Sequence, residues 1–372
     1  MLEGDALMNH PTESASRVPD FFNPPRVVLV SDSGYHKQAS RKIEMVSSIA
    51  IAPKGRLWVV WYAGPNPAED NHNYVIVASS GDDGSTWHEH FQIDPQGDVR
   101  AYDPEIWVDP LGRLWVFWAQ TTGHDGSIAG VWAMVAEQPD SPDAKFSEPR
   151  RLTDGVMMCK PTVLADGQWL LPVSTWRTTD HSARAVVSAD SGKTFQVRGG
   201  SNVPKDERVY DEHMIVQRKD HSLWMLARTK YGVGQSFSTD GGSTWSDMAP
   251  SPIAAPSTRF FIRRLISGNL LLVKNCPVDE KIGRSHMTAF ISKDDGATWQ
   301  GGLLLDARKD ISYPDADQNT DGTIYLTYDH ARTQAKEILL ATFTEQDVLA
   351  GKAVSDKVRL QITINQAAGS KS

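Results

Sequence analysis

Ser-x-Asp-x-Gly-x-Thr-aromatic occurs four times in this chain, at commensurate distances. The copies begin at Ser80, Ser188, Ser238 and Ser292, intervals of 108, 50 and 54 residues. A unit of about 54 residues therefore runs through the chain, with one copy decayed. Such a period constrains the fold more than any local propensity, because each unit must stack on its neighbours to bury its apolar face.

A second pattern runs in phase with the first: an apolar strand, a tight turn, then a strand rich in Leu, Trp and Val. The turns centre on Gly55, Gly112, Gly167, His221, Gly268 and Gly322, which lie 57, 55, 54, 47 and 54 residues apart. Each unit continues into a third apolar stretch and a short fourth strand, with the Ser-x-Asp motif between them. Alternation, aromatic and β-branched enrichment and Gly/Asp turns predict four antiparallel strands per unit. In the second unit a looser turn near 135–147 stands where the motif is missing. Six such units predict an all-β, six-bladed β-propeller over residues 26–350, an architecture that leaves only short, protected sheet edges. Residues 26–31 are expected to supply the outer strand of the last blade, with 1–25 and 351–372 as tails.

The motif itself reads as structural. Its Ser and Asp can hold turn backbone, its Gly accepts positive φ, and its aromatic packs under the hairpin. A net charge of −8 and a pI near 5.8 argue against a nucleic-acid partner. No apolar run reaches the length of a membrane span. Cys159 and Cys276 are too few for a disulfide framework or a zinc site, and no motif calls for a metal or organic cofactor. The polar, acidic first residues lack the apolar stretch of a secretory signal, so a cytoplasmic location is expected. Oligomeric state is not written in any pattern here.

In such a fold, first-strand starts and second-strand ends meet at one rim around the axis. The starts carry Glu44, Asp103 and Glu105, Lys160, Asp211-Glu212-His213, Arg259, and Tyr313 with Asp315. The ends and following loops carry Asp70 and His72, Gln120, Arg177, Arg228, Arg284, and His330 with Arg332. Any one of these could be a solvated or mutually neutralised charge; their recurrence in all six units suggests a shared site. A Tyr, a Glu and several Arg suit an oxocarbenium-like transition state on an anionic sugar. The Glu would act as base to a Tyr hydroxyl that is a poor nucleophile alone, and Arg would supply a fork for a carboxylate.

These residues resemble the sialidase (neuraminidase) superfamily, with its Asp-box (BNR) turns and six-bladed propeller, and a bacterial sialidase-like branch in particular. The likeness spans roughly residues 26–345. Its strongest element is the order of Glu212, Arg228, Arg284 and Tyr313 along the last three blades. The resemblance implies an exo-acting hydrolase of a terminal acidic sugar. Tyr313 would be its nucleophile, Glu212 its base partner, and Asp70 its acid. Arg228 and Arg284 would bind the substrate carboxylate. Where sialidases open the first blade with Arg-Ile-Pro, this chain has Arg41-Lys-Ile-Glu44-Met-Val, leaving Arg41 or Arg259 to replace the third arginine. Glu44, Asp103, Glu105, Lys160, Arg177, His213, Asp315 and His330 complete the expected carbohydrate-binding set. The alternatives are another carbohydrate-active enzyme, a hydrolase or lyase of uronic or related sugars, and a sugar-binding propeller without catalysis.

Overall fold

A computed structural model describes residues 20–30, 36–124, 126, 128–176, 181–276 and 283–367. Six antiparallel sheets follow one another along the chain as the blades of a β-propeller. Blade one comprises Ile43–Ile51, Leu57–Gly64, Tyr74–Ser80 and His88–Asp94; blade two comprises Arg100–Val108, Leu114–Thr121, Gly130–Ala136 and Arg150–Asp154. Blade three is shorter at the axis, with Thr162–Val163, Trp169–Ser174, Ala183–Ser188 and Gln196–Ser201. Blade four is Arg208–Gln217, Leu223–Thr229, Gly232–Ser238 and Ala249–Pro250; blade five is Phe261–Arg264, Leu270–Asn275, Ser285–Ser292 and Gln300–Lys309.

The last blade closes differently from the sequence expectation. Ile311–Gln318, Ile324–His330 and Glu337–Phe343 are followed by a short helix, Glu345–Ala350, and then by an outer strand, Arg359–Gln366. That strand pairs with Glu337–Phe343, so the segment expected as a C-terminal tail completes the blade. Residues Arg26–Leu29 instead add a fifth strand to blade one, pairing Arg26 with Asp94 and Leu29 with Phe91. The physical reason is local: Thr344 and Asp347 form a capping box, and Gly351, at φ 65°, ends the helix and turns the chain back toward the edge of Glu337–Phe343.

The Ser-x-Asp turns do what their chemistry predicts. In the first, Ser80 Oγ accepts from the Gly84 amide at 2.9 Å, and Asp82 accepts from the Thr86 amide at 2.9 Å and the Thr86 hydroxyl at 2.7 Å. The glycine is required twice over. Gly84 has φ 79°, and a Cβ there would lie 2.8 Å from Leu340 of the last blade; at Gly192 it would lie 2.6 Å from Trp115 of blade two. Each of these turns therefore backs onto the preceding blade. The decayed copy in blade two keeps that docking by other means, since Pro139 O accepts from Trp58 Nε1 at 2.7 Å. All four turns lie at the end of the blades away from the second-strand termini. Between blades the core is apolar, with Trp58, Val116, Leu170, Leu226, Leu272 and Leu326 fully or almost fully buried.

Candidate active site

The cavity at the axis is built by one repeated backbone device. In blades one, two, four and six the pairing of first and second strands slips, between Met45 and Ser48, Tyr102 and Glu105, Asp211 and Met214, and Ser312 and Asp315. Inside each slip one residue adopts a left-handed conformation: Val46 (φ 51°), Asp103 (47°), Glu212 (43°) and Tyr313 (54°). Such a bulge re-aims a side chain, and a non-glycine residue there costs roughly 1–3 kcal/mol. Each lies nine residues before its blade's turn residue, as Met158 and Arg259 do in blades three and five. That fixed offset is the sequence signal that singles out the axial position.

Asp103, Met158, Glu212 and Tyr313 line a cavity of about 370 Å³, together with Met45, Tyr62, Glu69, Arg100, His124, Trp176, Tyr210, Arg228, Arg284 and Arg332. On one wall the Tyr313 hydroxyl donates to Glu212 Oε1 at 2.7 Å. Arg228 Nη1 donates to the same carboxylate at 2.9 Å and to the Tyr313 oxygen at 3.4 Å. Arg284 and Arg332 both donate to Ser312 Oγ, at 3.0 and 2.8 Å, and their guanidinium carbons stand 5.3 and 4.5 Å from the centre of the Tyr313 ring. Asp329 holds Arg332 at 3.3 Å and also accepts from the Val46 amide at 2.9 Å.

The electrostatics of this wall follow from those neighbours. Burial alone would raise the Glu212 carboxyl, but Arg228, the Tyr313 hydrogen bond and Arg284 outweigh it and hold it below its ordinary value. Tyr313 is pushed above its ordinary value by burial and by the Glu212 charge, against the pull of Arg228, Arg284 and Arg332. A charged acceptor thus faces a protonated phenol. The opposite wall comes from blades one and two. Arg100 lies 3.7 Å from Glu69 and 3.8 Å from the Tyr102 ring, and its Nε and Nη1 atoms are buried without a hydrogen-bond partner. The hydroxyls of Tyr62 and Tyr102 and the second oxygen of Glu212 are likewise buried, with no hydrogen-bond partner within bonding geometry among the described residues. Buried polar groups are normally satisfied, so this concentration marks a cavity shaped for a polar guest or water.

Several expected residues lie elsewhere. Asp70 accepts from Asn66 Nδ2 at 2.7 Å and from the His72 amide at 2.9 Å within its own loop and does not line the cavity, whereas its neighbour Glu69 does. Glu44 is buried behind the first blade, where Asn365 Nδ2 donates to both its oxygens at 2.7 Å. Arg41, a proposed replacement for the third arginine, is held by Glu89 at 2.7 Å and by Glu44 at 3.1 Å. Arg259, the other, donates to Pro314 O and Met158 O, each at 2.6 Å. Arg332 stands in the cavity instead.

Glu105, Lys160 and Asp315 form a closed ionic cluster at the axis, with Lys160 Nζ 2.8 Å from Glu105 and 2.7 Å from Asp315. His213 is buried against Arg184 O at 2.8 Å, and burial lowers it to about 4. His330 pairs with Glu337 at 2.6 Å. Gln120 donates to Phe21 O and Asn23 O, at 3.0 and 2.7 Å. Arg177 lies outside the described residues. The expectation thus placed Glu212, Arg228, Arg284, Tyr313 and Asp103 at the cavity. It missed the roles of Glu69 and Arg100 and read Arg332 only as a loop residue.

Known proteins share this architecture. A curated sialidase of Bacteroides fragilis (strain YCH46) is 25% identical over 328 residues, covering 75% of this chain; the chain spans 59% of that relative's length. Among solved structures, Hadza microbial sialidase Hz136 superposes with a TM-score of 0.66 at 18% identity, over 82% of this chain and 66% of that one. The intramolecular trans-sialidase of Ruminococcus gnavus superposes with a TM-score of 0.67 at 14% identity, over 86% and 98%. At these identities the superpositions establish the shared fold. The sequence profile of the BNR repeat-like domain matches residues 55–326, most of the propeller, and the chain belongs to that family.

Proposed function

We propose that this protein is an exo-acting glycoside hydrolase of the sialidase type, cleaving a terminal sugar that bears a carboxylate. The observation that carries the reading is the Tyr313–Glu212 contact at 2.7 Å with three guanidiniums around the same phenol. A free tyrosine, with a pKa near 10, is a weak nucleophile. Here an ionised Glu212 accepts the phenolic proton as the oxygen attacks the anomeric carbon, and Arg228 touches both groups through the transfer. A neutral nucleophile also avoids repelling an anionic sugar. Arg284 and Arg332 share Ser312 and both line the cavity, and a pair of guanidiniums there suits a carboxylate. A cavity of about 370 Å³ suits a single sugar ring and hence exo action.

The similarity to proteins named sialidase supports this class. A related but different acidic sugar is the second reading, favoured by Glu44 and Met45 near the position where sialidases carry an arginine. A panel of aryl glycosides of sialic, uronic and other keto acids, followed by NMR of the first-formed anomer, tests both. The expected result is turnover with retention. Glu212→Gln should lower it by about 10²–10⁴-fold and Tyr313→Phe by at least as much, with unchanged melting. Full activity in either variant overturns the role assignment. Calorimetric sugar binding without turnover would favour a binding propeller.

A further inference from the structure

We infer that Asp103, not Asp70, is the acid that protonates the departing oxygen, with Glu69 as its charged neighbour; this rests on the glycosidase reading above. Three observations place it there. Asp103 occupies the same bulge position in blade two that Glu212 and Tyr313 occupy in blades four and six, so the same device aims all three at the axis. It lines the cavity that holds the nucleophile pair, while Asp70 is tied into its own loop by Asn66 and His72. Its left-handed backbone is a strained conformation for a non-glycine residue, and such strain collects where a side chain must be aimed.

The groups facing Asp103 come from every element around it: Glu69 and Tyr62 from blade one, Arg100 and Tyr102 from its own strand, Glu212 from blade four and Arg332 from blade six. Burial and the charges of Glu69 and Glu212 favour the protonated carboxyl; Arg100 and Arg332 oppose them. The balance leaves Asp103 well above the usual carboxylate range. Glu212 is displaced the other way. Two carboxyls of one cavity driven apart by their surroundings divide the acid and base roles between them.

The chemistry balances. As the Tyr313 oxygen bonds to the anomeric carbon, its proton passes to Glu212. The glycosidic bond breaks with its electron pair on the departing oxygen, which takes the Asp103 proton. In the second half the Asp103 carboxylate takes a proton from water. The resulting hydroxide bonds to the anomeric carbon, the bond to Tyr313 breaks, and the phenolate recovers its proton from Glu212.

The test compares Asp103→Asn, Glu69→Gln and Asp70→Asn on two substrates. One has an alkyl or sugar leaving group, and the other an aryl group acidic enough to depart unprotonated. Asp103→Asn should lose about 10²–10⁴-fold on the first, change the bond-breaking step on the second by less than about tenfold, and lose the alkaline limb of the kcat/KM profile. Asp70→Asn should behave as wild type. Equal losses on both substrates in Asp103→Asn, or the leaving-group pattern appearing in Glu69→Gln or Asp70→Asn instead, overturn the assignment. Infrared spectroscopy supplies a readout independent of turnover: a protonated-carboxyl band at neutral pH that disappears in Asp103→Asn. Absence of that band refutes the inference even in an active enzyme. A band in a wild type that turns over no sugar refutes the glycosidase reading, and the acid role with it.

Discussion

Two charge clusters sit on the same first strands, two residues apart, and they have opposite characters. Asp103 and Tyr313 open into the cavity; Glu105 and Asp315, just beyond them, close on Lys160. In the closed cluster Lys160 Nζ reaches Ile49 O, Ile106 O, Glu105 and Asp315 at 2.7–2.8 Å and Ser48 Oγ at 3.1 Å. Ser48 Oγ lies within hydrogen-bond distance of both carboxylates, its one hydrogen available to either. The second oxygens of Glu105 and Asp315 face Arg259 at 3.7 and 3.5 Å. Burial alone would lower the Lys160 ammonium, but Asp315 and Glu105 raise it. The cluster ties blades one, two, three, five and six at the axis. In the open cluster, atoms of Arg100, Tyr62, Tyr102 and Glu212 are buried without a hydrogen-bond partner among the described residues, and Glu105 Oε2, Asp315 Oδ2 and Arg259 Nε of the closed cluster share that state. The difference is therefore space: Glu105, Asp315, Lys160 and Arg259 close on one another, while Arg100, Tyr62, Asp103, Glu212 and Tyr313 line a cavity that a guest can enter.

Lys160→Met is the largest test of that contrast. Removing one partner of a buried ionic cluster leaves uncompensated charge, so denaturant unfolding should show a loss of about 3–5 kcal/mol. An unchanged midpoint would show that the closed cluster does not hold the axis.

Glu44 comes next, because it was expected at the site and belongs to the closed class. Burial pushes its carboxyl up to about 7, against the pull of Arg41, whose charge is shared with Glu89. The unfolded carboxyl releases its proton near its ordinary 4.5, so the folded state binds the proton more tightly. The resulting stability is complete below about pH 4.5 and is lost as pH rises through about 7. Its size is on the order of 3 kcal/mol. Glu44→Gln should flatten this part of the pH–stability curve without altering turnover; a change in kcat with an unaltered curve would return Glu44 to the site.

The smallest effect belongs to the open cluster. Arg332→Lys keeps a charge beside Asp329 but removes the fork. KM for a carboxylate-bearing sugar should rise by roughly tenfold to a hundredfold, about 1.5–3 kcal/mol, with little change in melting. An unchanged KM would remove Arg332 from the binding wall.

The periodic features of the fold were readable because they are local. A Ser-x-Asp-x-Gly turn satisfies itself within seven residues, and each blade's tight turn recurs at nearly constant spacing. Closure was not readable. Both Arg26–Leu29 and Arg359–Gln366 are short strands able to pair at an edge, and which edge each takes, Phe91–Asp94 or Glu337–Thr342, depends on how the chain folds back between them. The same holds within the site. Glu212 and Tyr313 lie at a fixed offset from their blades' turns, and Arg228 and Arg284 lie on or beside strands, so counting from the turns located them. Glu69 and Asp70 are adjacent in one loop, and only its folded path decides which of them faces the cavity.

By itself the sequence determined the number of blades and the rim where polar side chains converge, since both follow from period and register, and the family resemblance singled out Glu212 and Tyr313 on that rim. Only the tertiary structure decided that Arg332 and Asp103 line the same cavity as Tyr313, and that Glu44, Glu105, Lys160, Arg259 and Asp315 are held by partners outside it. The reason is that a charge's role depends on whether its neighbours close on it, and those neighbours come from other blades.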